Sequence, residues 1–557
     1  MRTSHFCFVA IATCLHRLAS GQIVFERVNA VSRNERGFAV NSGVLHQLSQ
    51  IAENENILTS SEDEQGISFE NYKESLDVFG KIVRVKQLFN GVEVFGYGAT
   101  INILSSQFTD KSYVYTGRVV RGLPRVNKAS EFAHVDIGSV LQRAKLHVLN
   151  SSRGSRLNGP LWKHLKDTVR PIVYVDKEAN TAVAAHLVQF LDNQGGTPKY
   201  HTAIVDGTGK VLKHWNEIRN CIRPKPDKQP KDTGKSPGGN RKAGKKLYSH
   251  LDPLFQVSEI KDGICALIHS KNHAVFDARN NADEFELHKF KCYKNTERRV
   301  NGAYSPMNDL FHNGFVVHNM FVEYFKQPPL LELQGKYDDE PMMLLVAHYK
   351  EGDGNAYWNG RHALFGDGDG IYFPMTTLDL VAHEVSHGVT SESSGLLNYG
   401  EPGALGESFS DMAGITAVAY FSGYNANTFT WKFGADIMKH EKQLRCMDHP
   451  PCDHQSIDHV RDLGSTSEVH NTNGIFNKVF YLITTKSKSH PRDVFELFYF
   501  ANTRYWSRET TFTEAAEMTL RALAHLKEGM YLKRNYSRIT FEIVIRSFEE
   551  VGIECER

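Results

Sequence analysis

Leu378-Asp-Leu-Val-Ala-His383-Glu384-Val-Ser-His387-Gly-Val-Thr390 repeats apolar residues at helical spacing and sets two histidines four residues apart. On a helix, spacing i, i+4 puts both imidazoles on one face, one turn apart. Two neutral imidazoles on a rigid helix can bind one Zn²⁺ at about 2.0–2.1 Å. Glu384, beside the first of them, can reach a water on that metal. Catalytic zinc usually has three protein ligands and one open position. Twenty residues beyond His387 comes Glu407, in Gly406-Glu407-Ser-Phe-Ser-Asp411, near the start of a second helical pattern. Glu407 is the candidate third ligand. Asp411, one turn later, can accept the spare N–H of a zinc histidine and fix its tautomer.

Outward from this stretch, residues 376–557 carry long helical patterns: Leu378–Thr390, Ala404–Ser422, Asn473–Ser487, Arg492–Tyr505, Thr513–Lys527 and Ser537–Val551. Residues 247–375 are strand-like and aromatic, with many Gly and Asn turns, so a β-rich half precedes a helical half. Residues 22–218 read as α+β. Val40–Glu53 has helix-like spacing, and Val83–Leu104 alternates around Asn90-Gly91, a hairpin-type turn pair. Ile172–Val175, Ala182–Leu191 and Tyr200–Val205 read as strands, and Asp206-Gly-Thr-Gly as a turn before Lys210–Trp215. Between these regions, Arg219–Lys246 holds ten Lys/Arg against two Asp, with four prolines. No apolar period survives there, so it reads as a protease-accessible linker, with a heparin-like or nucleic-acid patch as the alternative.

The whole chain has 557 residues, 65 Lys+Arg and 64 Asp+Glu, for a formal charge of +1. No whole-chain field argues for nucleic acid or an anionic membrane. Apolar content of 41% and charged content of 23% fit a globular protein. No apolar run reaches about 18 residues, so no membrane span is expected. Met1-Arg2, an apolar stretch Phe6–Leu15 and small residues Ala19, Ser20 and Gly21 read as a secretory signal peptide, cut before Gln22. A buried first helix is the alternative, since His16-Arg17 interrupts the run. Secretion would put Cys221, Cys265, Cys292, Cys446, Cys452 and Cys555 in an oxidising compartment. Asn150-Ser-Ser and Asn535-Tyr-Ser are acceptor sequons.

The metzincin pattern fails, because Thr390 and Ser393 stand where it wants Gly and His. The chain instead resembles the thermolysin-like neutral metallopeptidases, nearest the vibriolysin and pseudolysin branch. The matching segments include Val300-Asn-Gly-Ala-Tyr-Ser-Pro-Met-Asn-Asp309, Asn355-Ala-Tyr-Trp358, Leu364-Phe-Gly-Asp-Gly368, Ala382–Thr390, Gly403–Gly414, Leu444-Arg445, Ser456-Ile-Asp-His459, and Val469-His470 with Gly474–Tyr481. They run in family order across about 239–555. Gln87-Leu-Phe-Asn-Gly-Val-Glu-Val-Phe-Gly96 resembles the fungalysin/thermolysin propeptide motif, and the region of Asp206-Gly-Thr-Gly resembles a PepSY module.

The resemblance implies an α+β fold, with a β-rich lobe and a mainly helical lobe flanking a zinc cleft, after an α+β pro-region. The implied divisions are a signal peptide at 1–21, a propeptide module at 22–125, a PepSY-like module at 126–218, a basic processing linker at 219–237, and lobes at 238–375 and 376–557. It implies His383, His387 and Glu407 as zinc ligands and Glu384 as general base in attack by zinc-bound water. His470 would stabilise the oxyanion, oriented by Glu468. Asn355 and Ala356 would hold substrate backbone, and Arg445 a substrate carbonyl. Leu444 and Leu380 would line a pocket favouring cleavage on the amino side of bulky hydrophobic residues. Partners would be peptide and protein substrates and the chain's own pro-region as inhibitor, and the setting extracellular. Cys265–Cys292 matches a family bridge; Cys446–Cys452 would stiffen a cleft wall. Cys221 and Cys555 pair or stay free.

Four departures stand out. Asn398 occupies the position of the family's oxyanion tyrosine, with Tyr399 next to it, so either could serve. Gly406 replaces the usual Asn before the third ligand. Ile415, Val418 and Ala426 stand where related enzymes place calcium-facing acids, so the family's structural Ca²⁺ is not predicted. Asp379 is kept, and its plain reading is a helix N-terminal acid favoured by the dipole. A silent homologue serving as a binding or inhibitory module, and a zinc exopeptidase, are the rival classes.

Overall fold

The computed structural model describes residues 24–33, 67–77, 80–105, 111–121, 137–149, 166–176, 181–192 and 199–216. It also describes 235–555, apart from 250–251, 262, 270–271, 298, 331–342, 441–442, 465–467 and 528–535. The expected signal peptide, the helix at Val40–Glu53, Cys221, both sequons and the basic stretch up to residue 234 lie outside the described residues. The chain forms two compact units. The first comprises Met1–His147, Thr168–Val188 and Ala203–Lys213; the second comprises Val148–Asp167, Gln189–Thr202 and His214–Arg557.

In the first unit, β1 (Val24–Arg33), β2 (Ile67–Asp77), β3 (Gly80–Phe89), β4 (Val92–Ser105) and β5 (Lys111–Arg121) pair antiparallel. The β3–β4 hairpin turns at Asn90 (φ 48°) and Gly91 (φ 71°), the two positive φ values that a tight I′ turn demands. The buried Gln87 side chain bonds both backbone groups of Val120, at 2.7 and 2.9 Å, and so ties β3 to β5. Helix α1 (Ile137–Leu149) follows, then β6 (Thr168–Asp176), β7 (Thr181–Asp192), β8 (Lys199–Asp206) and β9 (Val211–Asn216). The sheet order is β1-β5-β4-β6-β7-β8-β9. The end of β7 from Gln189, the start of β8 to Thr202 and the end of β9 from His214 belong to the second unit.

The second unit opens with β10 (Ser236–Asn240) and β11 (Gly244–Tyr248), an antiparallel pair inside the basic stretch expected to be a linker. A Ser-Pro-Gly-Gly-Asn run has poor strand propensity, and tertiary contacts hold it. The Asp309 carboxylate accepts the Gly239 N–H at 2.8 Å and the Tyr248 hydroxyl at 2.7 Å. A three-stranded sheet contains β12 (Ser258–Lys261), β13 (Ile264–Ala266) and β17 (Lys289–Lys291). A larger sheet contains β14 (Ile268–His269), β15 (His273–Asp277), β16 (Glu286–Leu287), β18 (Met343–Ala347), β19 (Ala356–Trp358) and β20 (His362–Phe365). Its order is β14-β15-β18-β20-β19, with β16 beside β15, so β19 lies at an edge.

The same region contains α2 (Pro306–Phe325), a 20-residue helix where strand-like texture was expected. Its Asn, His and Gly residues are weak helix formers, and burial on nearly every side erases the amphipathic stripe. Ser305 caps it and Pro306 opens it. The helical half follows: α3 (Leu378–Glu392), α4 (Gly400–Ser422), the short strands β21 (Lys432–Phe433) and β22 (Arg445–Cys446), then α5 (Val469–Thr472), α6 (Gly474–Ser487), α7 (Pro491–Arg504), α8 (Phe512–Lys527) and α9 (Phe541–Glu549). The six expected helices are all present, with ends within four residues of their expected limits. A β-rich region followed by a helical one is the α+β arrangement expected. Among the described residues no helix is long and apolar enough to cross a membrane.

A buried charge cluster braces the β-rich half. His348 lies 2.5 Å from Glu297 Oε1 and 2.6 Å from Asp367 Oδ1. Glu297 also accepts the Met307 N–H at the start of α2, and Asp367 accepts from Asn280. Burial opposes a charged imidazole here, but the two carboxylates hold its pKa well above the ordinary value. A group raised on folding stabilises fully below its unfolded pKa and loses that effect as pH rises through the folded one. His348→Gln should therefore cost about 3–5 kcal/mol near pH 6, and the deficit should shrink at alkaline pH. Denaturant unfolding of both proteins across pH measures it; a deficit that is constant with pH would mean that His348 is neutral in the fold.

Candidate metal centre

Helix α3 supplies His383, Glu384 and His387, all at most 2% exposed. A helix buried from Asp379 to Thr390 can carry these polar residues only if they are paired inside the fold. His383 Nε2 and His387 Nε2 lie 3.0 Å apart, and Glu407 Oε2 on α4 lies 3.3 and 3.6 Å from them. Tetrahedral ligands about 2.0–2.1 Å from zinc would be separated by about 3.3 Å, so these three atoms outline one face of such a site. Glu384 also lies within 4.8 Å of the two histidines.

The histidines are oriented from behind. An ionised carboxylate only accepts hydrogen bonds, so the 2.9 Å contact of Asp411 Oδ1 with His383 Nδ1 puts the proton on Nδ1 and turns Nε2 toward the centre. His387 Nδ1 meets Ser410 Oγ at 3.1 Å. Ser410 lies one turn beyond Gly406, so an i+4 residue of the same helix supplies second support at this departure from the family pattern. Sequence reasoning missed it, although its place one turn along α4 from Gly406 was the available signal.

Asp411 accepts four further bonds: Arg445 Nε at 2.7 Å and Nη2 at 2.6 Å, and the amides of Asn473 and Asn477 at 2.9 Å each. Burial works against its charge, but Arg445 and His383 keep its pKa well below the usual carboxylate range. Glu407 is likewise opposed by burial and held well below that range by His470, His387 and His383. Burial lowers His383, yet its bonds to Asp411 and Glu407 raise it to about 9. This pocket of buried carboxylates favours a cation, as a zinc site requires.

His470 on α5 has Nε2 3.4 Å from Glu407 Oε2 and Nδ1 2.9 Å from Glu468, which also caps the helix. Burial lowers its pKa and Glu407 and Glu468 raise it, for a net rise. The Arg445 guanidinium lies over the Phe433 ring at 4.7 Å and is engaged by Asp411. Asn355 and Ala356 stand at the edge strand β19. Asn355 Oδ1 is buried and has no hydrogen-bond partner among the described residues, so it is an acceptor whose bond is unmade. Leu380 is buried in α3, and Leu444 packs at Gly434.

Tyr399 caps α4, and its hydroxyl bonds Glu509 at 3.3 Å. Asn398 lies where α4 passes α5: a Cβ on Gly403 would meet the Asn398 backbone at 3.0 Å and Val469 at 2.7 Å. Asp379 accepts from Thr377 Oγ1, the Leu380 N–H and the Gly434 N–H, as a helix N-terminal acid does. Cys265–Cys292 and Cys446–Cys452 are bridged, with Cα separations of 5.0 and 6.2 Å; among the described residues Cys555 has no disulfide partner.

Two substitutions separate these supports. Asp411→Asn removes the charge, turns one of the two oxygens that accept its five bonds into a donor facing donors, and leaves Arg445 buried without its counter-charge, so stability should fall by about 3–5 kcal/mol. Ser410→Ala should leave metal-free stability within about 1 kcal/mol but weaken zinc binding about 10-fold or more. Competition with a chromophoric chelator reads the affinity. Unchanged affinity in Ser410→Ala would remove Ser410 from the support of the site.

Comparison with known proteins agrees with this geometry. Residues 241–391 match the family model "Thermolysin metallopeptidase, catalytic domain", and residues 394–553 match "Thermolysin metallopeptidase, alpha-helical domain". The chain is 30% identical to the hemagglutinin/proteinase of Vibrio cholerae serotype O1 over 482 residues, 86% of this chain and 72% of that protein. It is 30% identical to the zinc metalloproteinase MspA of Legionella longbeachae over 455 residues, 78% of this chain and 80% of that protein. With the neutral protease of Vibrio proteolyticus identity is 32% over 339 residues, 60% of this chain and 52% of that one. Matched by both family models and by relatives across most of its length, the chain belongs to the thermolysin metallopeptidase family and is a zinc-dependent metalloendopeptidase.

Proposed function

We propose that the protein is a secreted endopeptidase, made as a zymogen, that cuts on the amino side of bulky hydrophobic residues. The observation that carries the reading is the convergence of His383, His387 and Glu407 atoms at 3.0–3.6 Å, with Glu384 beside them. A zinc ion bound there supplies a Lewis acid and a water of lowered pKa. Glu384 takes a proton on its carboxylate as attack proceeds and delivers it to the leaving amine. His470, oriented through Nδ1 by Glu468, presents Nε2 as donor to the developing oxyanion. Asn398 and Tyr399, at and beside the position of the family's oxyanion tyrosine, are further candidates for that support.

Substrate backbone adds to the edge strand β19, where Asn355 Oδ1 and Ala356 offer hydrogen-bonding groups. Arg445, steadied by Asp411, faces the carbonyl beyond the cut. Leu380 and Leu444 give the neighbouring pocket its apolar preference. Residues 22–218 act as the pro-region and are released by cutting in the basic stretch before Ser236, where buried strand β10 begins. Alignment to relatives over 86% of the chain, well beyond residues 241–553, supports a shared N-terminal half. The two disulfides and the N-terminal leader pattern support an oxidising, extracellular setting.

The test is hydrolysis of a terminally blocked peptide with Leu or Phe after the scissile bond. Processed protein should cleave it, chelation should abolish cleavage, and Glu384→Ala should lose about 10²–10⁴-fold in kcat. Cleavage confined to peptides with a free terminus would replace this reading with an exopeptidase.

A further inference from the structure

The ends of β7, β8 and β9 that belong to the second unit carry three pairs of sequence neighbours: Leu191-Asp192, Tyr200-His201 and His214-Trp215. Successive strand residues point to opposite faces, so each pair puts one member on each side. Leu191 and Tyr200 pack against the buried cluster of Ala278, Val346, Tyr349, Tyr357 and Leu364, which includes a residue of the edge strand β19. Trp215, 5% exposed, has its ring 4.9 Å from that of Tyr399, the residue that opens α4. These three side chains anchor the strand ends on the peptidase at two places, beside the substrate edge and beside Tyr399.

The opposite face is titratable. His201 Nδ1 lies 2.7 Å from His214 Nε2, and His201 Nε2 lies 3.5 Å from Asp192 Oδ2. Asp192 and His201 are buried, whereas His214 is exposed and gives solvent protons access. The Phe190 ring, 5.3 Å from His201, covers the cluster from β7. His186, farther along β7, is pushed toward its neutral form by burial. Glu509, bonded to the Tyr399 hydroxyl, is a charged group among the described residues on this side.

A hydrogen bond between two imidazoles needs one N–H and one lone pair. It survives one added proton, which Asp192 balances. A second proton sets N–H against N–H and places two cations with ring centroids 4.8 Å apart. Released strand ends can take up the proton that docked ends cannot, so acid favours release. We propose that Asp192, His201 and His214 form a proton-operated latch, which holds the Leu191, Tyr200 and Trp215 anchors on the peptidase at neutral pH and frees them on mild acidification. This rests on the reading of residues 22–218 as a pro-region.

Amide hydrogen exchange on the full-length precursor tests the latch, with Glu384→Ala as the background to prevent self-cleavage. Between about pH 7.5 and pH 5.5, after correction for intrinsic rates, the strand ends and residues 349–358 should lose protection about tenfold. His214→Gln should keep its protection at the lower pH, and Trp215→Ala should be unprotected at both. His201→Gln serves if His214→Gln does not fold. Equal protection at both pH values, or acid opening in the Gln variants, would overturn the latch. Cleavage of a blocked peptide by precursor with Glu384 intact is measured in parallel. Acid opening in a precursor that is already as active as processed protein at about pH 7.5 would sink the pro-region reading and leave the latch standing; a precursor inactive at about pH 7.5 with protection unchanged by acid would do the reverse.

Discussion

One buried carboxylate sets the geometry of the candidate metal centre. Asp411 is fully buried and ionised, a state that a protein interior tolerates only when the charge is paired and hydrogen-bonded. Its five donors come from α3, β22, the junction of α5 with α6, and α6 itself. Those elements cannot drift without exposing an unpaired charge, so the requirement to satisfy Asp411 also fixes His383, Arg445 and the approach of α5, which carries His470. The candidate metal ligand His383 and the candidate substrate-binding residue Arg445 inherit their positions from this single electrostatic demand.

A second buried cluster does comparable work in the β-rich half. His348 bridges Glu297 and Asp367; through them, the start of α2 is linked to residues next to β15 and β20. Both clusters place ionised groups where hydrophobic packing alone would not specify a unique arrangement. Around the metal centre the same logic permits substitution. The support expected before Glu407 is replaced by Gly406, and Ser410, one helical turn later, reaches His387 instead. Helical periodicity offers this exchange because positions four apart face the same neighbour.

The strand ends at 189–192, 199–202 and 214–216 couple two jobs through the two-residue period of a β-strand. Hydrophobic anchors and titratable groups alternate, so a charge change on one face is transmitted to packing on the other without a longer pathway. Gln189 and Thr202 bond across the strands on the anchor face, at 3.2 Å, and hold the two strands in one register.

Much of this was legible in the sequence. His383, Glu384, His387 and Glu407 announce themselves because helical spacing and metal chemistry are local rules. The six helices of the C-terminal half and the Asn90-Gly91 hairpin follow from periodicity and turn chemistry. Helix α2 was not legible, since full burial removes the stripe by which a helix is recognised. Strand β10 was not, because its Ser-Pro-Gly-Gly-Asn sequence is held by Asp309, seventy residues away. Asn473, Asn477, Ser410 and Phe433 carry no motif and gained their roles only by proximity. By itself the sequence determined the helical frame and put forward the candidate ligands His383, His387 and Glu407 and the candidate base Glu384, all products of short-range spacing. The tertiary structure alone decided which donors satisfy Asp411, where Tyr399 and Trp215 meet, and how His201 and His214 share a hydrogen bond. Those contacts join residues far apart in the chain, and only folding brings their charges and rings within bonding distance.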